Sequence, residues 1–366
     1  MTATTRTDAH DRSPTDDLGR SARRRHGRLW ISGLGLALAS TVVLAVGIGA
    51  IGLSPSTVVQ IIGHHTFGTP AQWSWTAPQD AIVWQVRLPR VLLGAAVGAA
   101  LAVCGVALQA MVRNLLADPY LLGITSGAST GAAGAILFGF GAGLGENALS
   151  TSAFLGALAA SVVVFAVARA GGRITSLRLL TAGVAVGYAL YAATGFLIFA
   201  SDSAEGSRSV LFWLLGSLGL ARWGVPLVSV LVVVCATVAV LTLGSRHLDA
   251  LAVGDETAHT LGVSPTRLRV RLLVLVSLCV GAVVAASGGI GFVGLVVPHL
   301  ARRFVGAAHG RVVPVAALLG AVFLVWADVL ARVSLYPREL PIGIVTAIVG
   351  APFLLLLVRR FHAAST

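Results

Sequence analysis

Few residues in this chain could do chemistry. Its 26 basic residues include no lysine, so the sequence cannot supply the lysine of a P-loop, a Schiff base or a pyridoxal enzyme, and any ATP hydrolysis it uses must come from another polypeptide. Within the apolar runs there is no H-E-x-x-H, no Cys/His cluster and no pair of carboxylates at catalytic spacing. Asp328 stands inside an apolar run, where a charge at mid-bilayer costs roughly 2.5 to 3.5 kcal/mol on insertion scales. It must face protein or water and find a partner, and Arg332 lies one helical turn on at i+4. That pair reads first as a structural ion pair and second as a proton or ion relay. His299 lies near Arg302 and Arg303; one imidazole makes no metal site, so it reads as a hydrogen-bonded structural residue. Cys104, Cys235 and Cys279 sit singly in apolar surroundings without metal-ligand spacing and read as small core residues.

The elements that carry these residues must be membrane helices. Of 366 residues, 56% are hydrophobic and only 11% charged, with mean hydropathy +0.89, whereas a soluble domain is nearer a quarter charged. Apolar stretches of spanning length recur along the chain. The sequence therefore predicts an all-α, polytopic membrane protein with about ten spans. They are placed near 29–53, 88–111, 119–140, 148–168, 178–200, 223–243, 268–288, 290–301, 312–331 and 341–358. The eighth is too short to cross alone and reads as a half-helix after a glycine break, while 208–219 reads as a short external helix. Residues 1–28 are polar, with seven Arg and four Asp, and read as a disordered cytoplasmic tail ahead of a permease domain over 29–360. With both termini inside, 20 arginines fall on the cytoplasmic side and six outside, namely Arg87, Arg90, Arg208, Arg222, Arg332 and Arg338. The net charge of +12 is thus a topology signal and does not indicate nucleic acid.

An internal echo accompanies this pattern: Gly98, Ala99, Ala102 and Gly105 recur as Gly281, Ala282, Ala285 and Gly288. The two helices that carry it should run in opposite directions, as in an inverted repeat, although small residues at this spacing also simply let membrane helices pack closely. Gly288, Gly289, Gly291 and Gly294 precede Pro298, so the helix must break and restart within protein that satisfies the freed backbone. The polar segment 252–265 places Asp255 and Glu256 at a helix N-terminus and Gly262 at its end. Thr175 and Ser176, between Arg173 and Arg178, could cap the fifth span.

Several stretches together are more specific. They are R-L-P-R at 87–90, G-x-x-L-Q-x-x-x-R-N-L-L-A-D-P-x-L-L-G at 105–123, F-W-L-L-G-S-L at 212–218, and G-D-E-T-A-H-T-L-G-V at 254–263. G-G-I-G-F-V-G-L-V-V-P-H-L-A-R at 288–302, A-D-V-L-A-R at 327–332, E-L-P-I-G at 339–343 and G-A-P-F at 350–353 follow in order. From about Arg87 to Arg360 the chain resembles the FecCD-type permeases of ABC importers, which move ferric siderophores, cobalamin or haem. The resemblance implies a permease of the cytoplasmic membrane that performs no covalent chemistry and binds no cofactor or metal, with ATP and magnesium held by a partner. The implied partners are a second permease, two ABC ATPase subunits, an external substrate-binding protein and membrane lipid. By the same resemblance Asp255, Glu256, Ala258, Leu261 and Gly262 contact the ATPase, and Thr175 and Ser176 form a cytoplasmic gate. Arg87, Arg90 and Arg332 become sockets for a binding protein. Ferric siderophore is the first cargo expected, with cobalamin and haem next. The rivals are a secondary transporter using Asp328 and an intramembrane enzyme using His299 with Asp328.

Overall fold

The computed structural model describes residues 20–170, 172 and 175–363, and among these the regular structure is helical. The helices are α1 (Arg20–Gly47), α2 (Pro55–Phe67), α3 (Ala77–Ala81), α4 (Leu88–Val112), α5 (Ile124–Phe138), α6 (Ala148–Ala170), α7 (Ser176–Phe199) and α8 (Ala204–Leu214). They continue as α9 (Val225–Leu243), α10 (Ser245–Val253), α11 (Asp255–Thr260), α12 (Pro265–Ser287), α13 (Val293–Val305), α14 (His309–Val333) and α15 (Ile342–Ala363). Seven are long and apolar enough to cross a membrane: α1, α4 with its lead-in, α6, α7, α9, α12 and α14. The other three expected spans are shorter. α5 has 15 residues and α13 has 13, about 20 Å at 1.5 Å per residue against a hydrocarbon core of about 30 Å, and the apolar part of α15 is Ile342–Leu356.

Local signals explain the departures from expectation. α1 begins at Arg20, inside the stretch expected to be a tail, while residues 1–19 lie outside the described residues. α2 was not foreseen, yet its ends are written in the sequence: Ser54 accepts from the Thr57 amide at 3.2 Å, Pro55 opens the helix and Gly68 closes it at φ 70°. The second span starts earlier than expected, because α3 and a π-helical stretch at Ile82–Arg87 run straight into α4. The polar segment 252–265 holds α11, and a further helix, α10, precedes it and joins it at Gly254.

α4 is the axis of the bundle, and almost all of it is buried. It crosses α14 where Gly98 meets Gly320, and α13 where Gly105 meets Gly294; a Cβ at either α4 position would collide with the facing backbone. Contact this close makes dispersion between backbones, which lipid cannot replace, the force that holds the helices together. α12 lies antiparallel to α4, since Arg269 near its start reaches Met111 at the end of α4. It packs on α5 and α6 as α4 packs on α13 and α14. The echoed glycine Gly281 accordingly faces Ala157 and Phe154 of α6, the crossing that corresponds to Gly98 on α14, whereas Gly288, the counterpart of Gly105, faces Trp213 O and Gly216.

Gly105→Ala should overpack the α4–α13 crossing and destabilise the protein by about 1 to 3 kcal/mol. Thermal unfolding of the detergent-solubilised protein checks this, and an unchanged Tm would show that the crossing can relax.

Candidate functional site

Charged and polar side chains gather at the two ends of α4. At its C-terminal end, α10 and α11 are pinned to the bundle by two acids. Asp249 on α10 accepts from the His309 amide at 2.9 Å and pairs with its Nδ1 at 2.6 Å, so it caps the start of α14. Asp255, first residue of α11, accepts from both terminal nitrogens of Arg269 at 2.9 and 2.7 Å. The Arg269 hydrogen bonds hold the Asp255 carboxyl below the ordinary carboxylate range, outweighing a burial cost. Burial opposes ionisation of Asp249, but the hydrogen bonds from His309 reverse the balance and lower it too. A depressed folded pKa stabilises above the unfolded value, near 4, and that stability is lost only as pH falls through the lowered value. Both carboxyl groups are therefore ionised at neutral pH.

The same module presents apolar side chains outward. Val253 is 70% and Leu261 65% exposed, and Glu256 and Gly262 are exposed beside them. Gly262 has φ 76° and closes α11 with bonds from its amide to His259 O and from Val263 N to Ala258 O, both 2.9 Å. A side chain there would meet open space, so the position needs glycine for its backbone angle. Ala258 is fully buried within the chain. It packs inside the module, and Asp255 is likewise engaged internally.

The two expected gate residues separate. Thr175 is exposed and accepts from the Arg178 amide at 3.4 Å as the N-cap of α7. Ser176 is half-buried and donates to Met111 O of α4 at 3.1 Å, while accepting from Arg269 at 3.3 Å. Arg173 lies outside the described residues. Nearby, Gln109 on α4 donates to Ala117 O at 3.4 Å and Gly294 O at 3.3 Å and accepts from Arg302 at 2.5 Å, tying the α4–α13 crossing to the loop after α4.

At the opposite end of α4, Asp328 on α14 is buried between two guanidinium groups. Arg90 donates from Nε to Oδ1 at 3.0 Å and Oδ2 at 3.2 Å, and from Nη2 to Oδ1 at 3.0 Å. Arg332 Nε lies 3.0 Å from Oδ2, as the i+4 spacing foretold. Arg90 also binds Glu339, at 3.1 and 2.9 Å. The remaining nitrogens of Arg332 donate to Ala45 O and Ile48 O, and Arg87 donates to Val46 O, Gly47 O and Ile51 O. Ala45 O, Val46 O and Gly47 O lie in the last turn of α1, which has no intrahelical donors for them, and Ile48 O and Ile51 O lie in the loop that follows. Arg87, Arg90 and Arg332, expected as sockets for a binding protein, all engage partners inside the chain. His299 belongs elsewhere. Its ring lies edge-on to Phe353, 5.9 Å between centroids, one turn from Arg302, which binds the far end of α4. Arg90 and Gln109 are about 28 Å apart along α4 at 1.5 Å per residue, so His299 and Asp328 cannot share one reaction centre. Among the described residues no three metal-ligating groups converge. Cys104 and Cys279, expected to sit singly, are neighbours across the α4–α12 contact.

Between these ends, a cavity of about 490 Å³ opens where α5, α7, α15 and the Gly289–Phe292 break meet. Tyr120, Thr125, Ser126, Ser129, Tyr191 and Thr194 line it, and no charged side chain does. Ser129 donates to Thr125 O at 2.8 Å and Thr194 to Leu190 O at 3.0 Å, whereas Tyr120 Oη and Thr125 Oγ1 are buried without a hydrogen-bond partner, so the wall is mildly polar. This wall was not foreseen; its signal in the sequence is the run T-S-G-A-S-T at 125–130, with hydroxyls four residues apart.

Because Asp328 neutralises Arg332 and shares Arg90 with Glu339, Asp328→Asn strands Arg332 and leaves Arg90 with Glu339 alone. Breaking a buried pair costs about 3 to 5 kcal/mol, so the variant should lose thermal stability and accumulate poorly. A variant folded as stably as the parent, defective only in transport, would instead make Asp328 a relay.

Residues 37–360 match the FecCD transport family. The chain is 41% identical over 334 residues to the hemin transport system permease protein of Yersinia pestis, covering 89% of this chain and 95% of that one. It is 40% identical over 332 residues to the cobalamin import system permease protein of Halobacterium salinarum, 88% of each chain. Among solved structures, a metal-chelate type ABC transporter in an inward-facing conformation superposes with TM-score 0.78 at 35% identity, over 90% of this chain and 98% of that one.

Proposed function

Because the chain belongs to the FecCD transport family, we propose that it is the multi-pass permease of an ABC importer that moves a metal chelate from an external binding protein to the cytoplasm. The observation that carries this reading is the module α10–α11. It is held to the bundle by Asp249 and Asp255 and turns Val253, Leu261 and Gly262 outward, at the end that the arginine distribution assigns to the cytoplasm. Exposed apolar side chains on a rigidly held polar loop mark a protein contact, and the partner that fits is an ABC ATPase, which supplies the ATP and magnesium. The permease itself carries no catalytic group. ATP binding and hydrolysis bias its two states through differential contact with this module.

Two copies of the permease enclose the pathway. α7 leaves Tyr188 and Tyr191 exposed beside the hydroxyl-lined cavity, a surface a second permease would cover. An external binding protein docks at the Arg90 end, where Arg87, Arg90 and Arg332 act by holding α1, α4 and α14 in register. The uncharged cavity wall suits a bulky chelate that must pass without being held. We place ferric siderophore first as cargo, and cobalamin or haem second, the latter two favoured by the names of the similar permeases. A proton-coupled secondary transporter is disfavoured because Asp328, its coupling acid, is fixed between two guanidinium groups.

Leu261→Glu should release the ATPase from a folded permease, weakening co-purification more than about 30-fold if Leu261 is a contact worth 2 kcal/mol; undiminished co-purification would remove α11 from the contact. Uptake of labelled ferric siderophore, cobalamin and haem by a deletion strain carrying this gene, with its ATPase and binding protein, decides the cargo. No ATP-dependent uptake of any of the three would overturn the metal-chelate reading.

A further inference from the structure

Arg269 lies in the second turn of α12 with 2% of its side chain exposed, and it joins three elements that are not neighbours in sequence. Nη1 and Nη2 hold the two oxygens of Asp255 on α11, Nη2 also donates to Ser176 Oγ at the first residue of α7, and Nε donates to Met111 O at the end of α4, at 3.4 Å. Ser176 donates to the same Met111 carbonyl, one of the helix-end acceptors that an α-helix cannot satisfy by itself. A guanidinium is a planar fork with donors fixed in direction. Displacing the carboxylate it grips must therefore either rotate it away from Ser176 and Met111 or carry α7 along with it. Burying a charge at this depth adds little net stability over an apolar residue, so its placement calls for a reason beyond holding the bundle together.

We propose that Arg269 is the positioning residue that transmits motion of the ATPase-contacting helix α11 to the cytoplasmic start of α7, setting whether that end of the pathway is open. The inference rests on the importer reading above. In one state the fork spans Asp255, Ser176 and Met111, and α7 is latched to α4 as in this structure. In the other, movement of α11 with the ATPase draws the fork off Ser176 and frees the start of α7. Sequence analysis assigned no role to Arg269, because it lies at the start of an apolar span among Arg267 and Arg271 and is indistinguishable from them by charge alone.

The test uses the assembled complex of permease, ATPase and binding protein in lipid nanodiscs. A spin label is placed on the exposed first turn of α7 through Leu177→Cys, with the exposed Cys235 changed to Ser. The distance between labels on the two permeases is measured without nucleotide and after trapping with ATP and vanadate. In the parent the distance should shift between the two conditions. Arg269→Gln and Asp255→Asn should retain the ATPase and hydrolyse ATP within about two-fold of the parent, while the shift falls below half. Asp255→Glu, which keeps the charge, should recover most of it. A full shift in either neutralised variant overturns the proposal, as does loss of the ATPase from both, which would make the pair an anchor for α11. Should Arg269→Gln fail to accumulate, Asp255→Asn decides alone, since its side chain is partly exposed. A parent that retains no ATPase or shows no shift overturns the importer reading and the role of Arg269 together, and is seen before any substitution of Arg269 or Asp255 is made.

Discussion

The closeness of α4 to the backbones of α13 and α14 governs the rest of the molecule. At Gly98–Gly320 and Gly105–Gly294 the helices touch without side chains between them. That contact fixes the rotation and depth of α4 and so decides where each of its polar residues arrives. Gln109 can bond to Gly294 O, and Arg90 can reach Asp328, because the crossings set α4 at one height. Were the crossings wider by a methyl group, the two polar ends would lose their partners together. In lipid an unpartnered polar group has no water to fall back on.

Satisfaction of buried charge is the second theme, and it turns the arginines inward. At the Arg90 end, Asp328 is shared by Arg90 and Arg332, while Arg87 and Arg332 supply donors to the last carbonyls of α1. Three helices from distant parts of the chain are bound there by groups that could each have been read as a surface charge. At the other end the hydrogen bonds of Asp249 with His309 and the ion pair Asp255–Arg269 do the same for α10 and α11. The difference lies in exposure: Asp255 and Asp249 are partly open to water, whereas Asp328 is closed off. The first end is suited to rigidity. The second sits where elements can separate at lower cost, because water can replace what is lost.

Between a rigid end and a separable one lies a wall of neutral hydroxyls. Ser129 donates to Thr125 O and Thr194 to Leu190 O, while Tyr120 Oη and Thr125 Oγ1 are buried without a hydrogen-bond partner. Such a wall offers passing cargo a few neutral polar atoms and no charge, which fits a conduit better than a tight binding site. The broken segment before α13 contributes Gly289, Gly291 and Phe292 to the same cavity, so irregular backbone occurs where it lines a space and is otherwise enclosed by protein.

Hydropathy and local spacing were enough to establish a multi-pass all-α membrane chain, the break before α13, the i+4 pair of Asp328 and Arg332, and the glycine that closes α11. Each is a relation between residues a few positions apart, and the helix period alone converts it into geometry. Tertiary structure decided that Arg90 is the other partner of Asp328, 238 residues away, that Arg87 caps α1, and that Ala258 faces inward. It also separated Thr175, a helix cap, from Ser176, a link between helices. None of these could be read from the sequence, since helical period says which residues share a face but not which face another helix will cover. That choice is made by the glycine crossings of α4, and they bring together groups whose order along the chain carries no trace of their meeting.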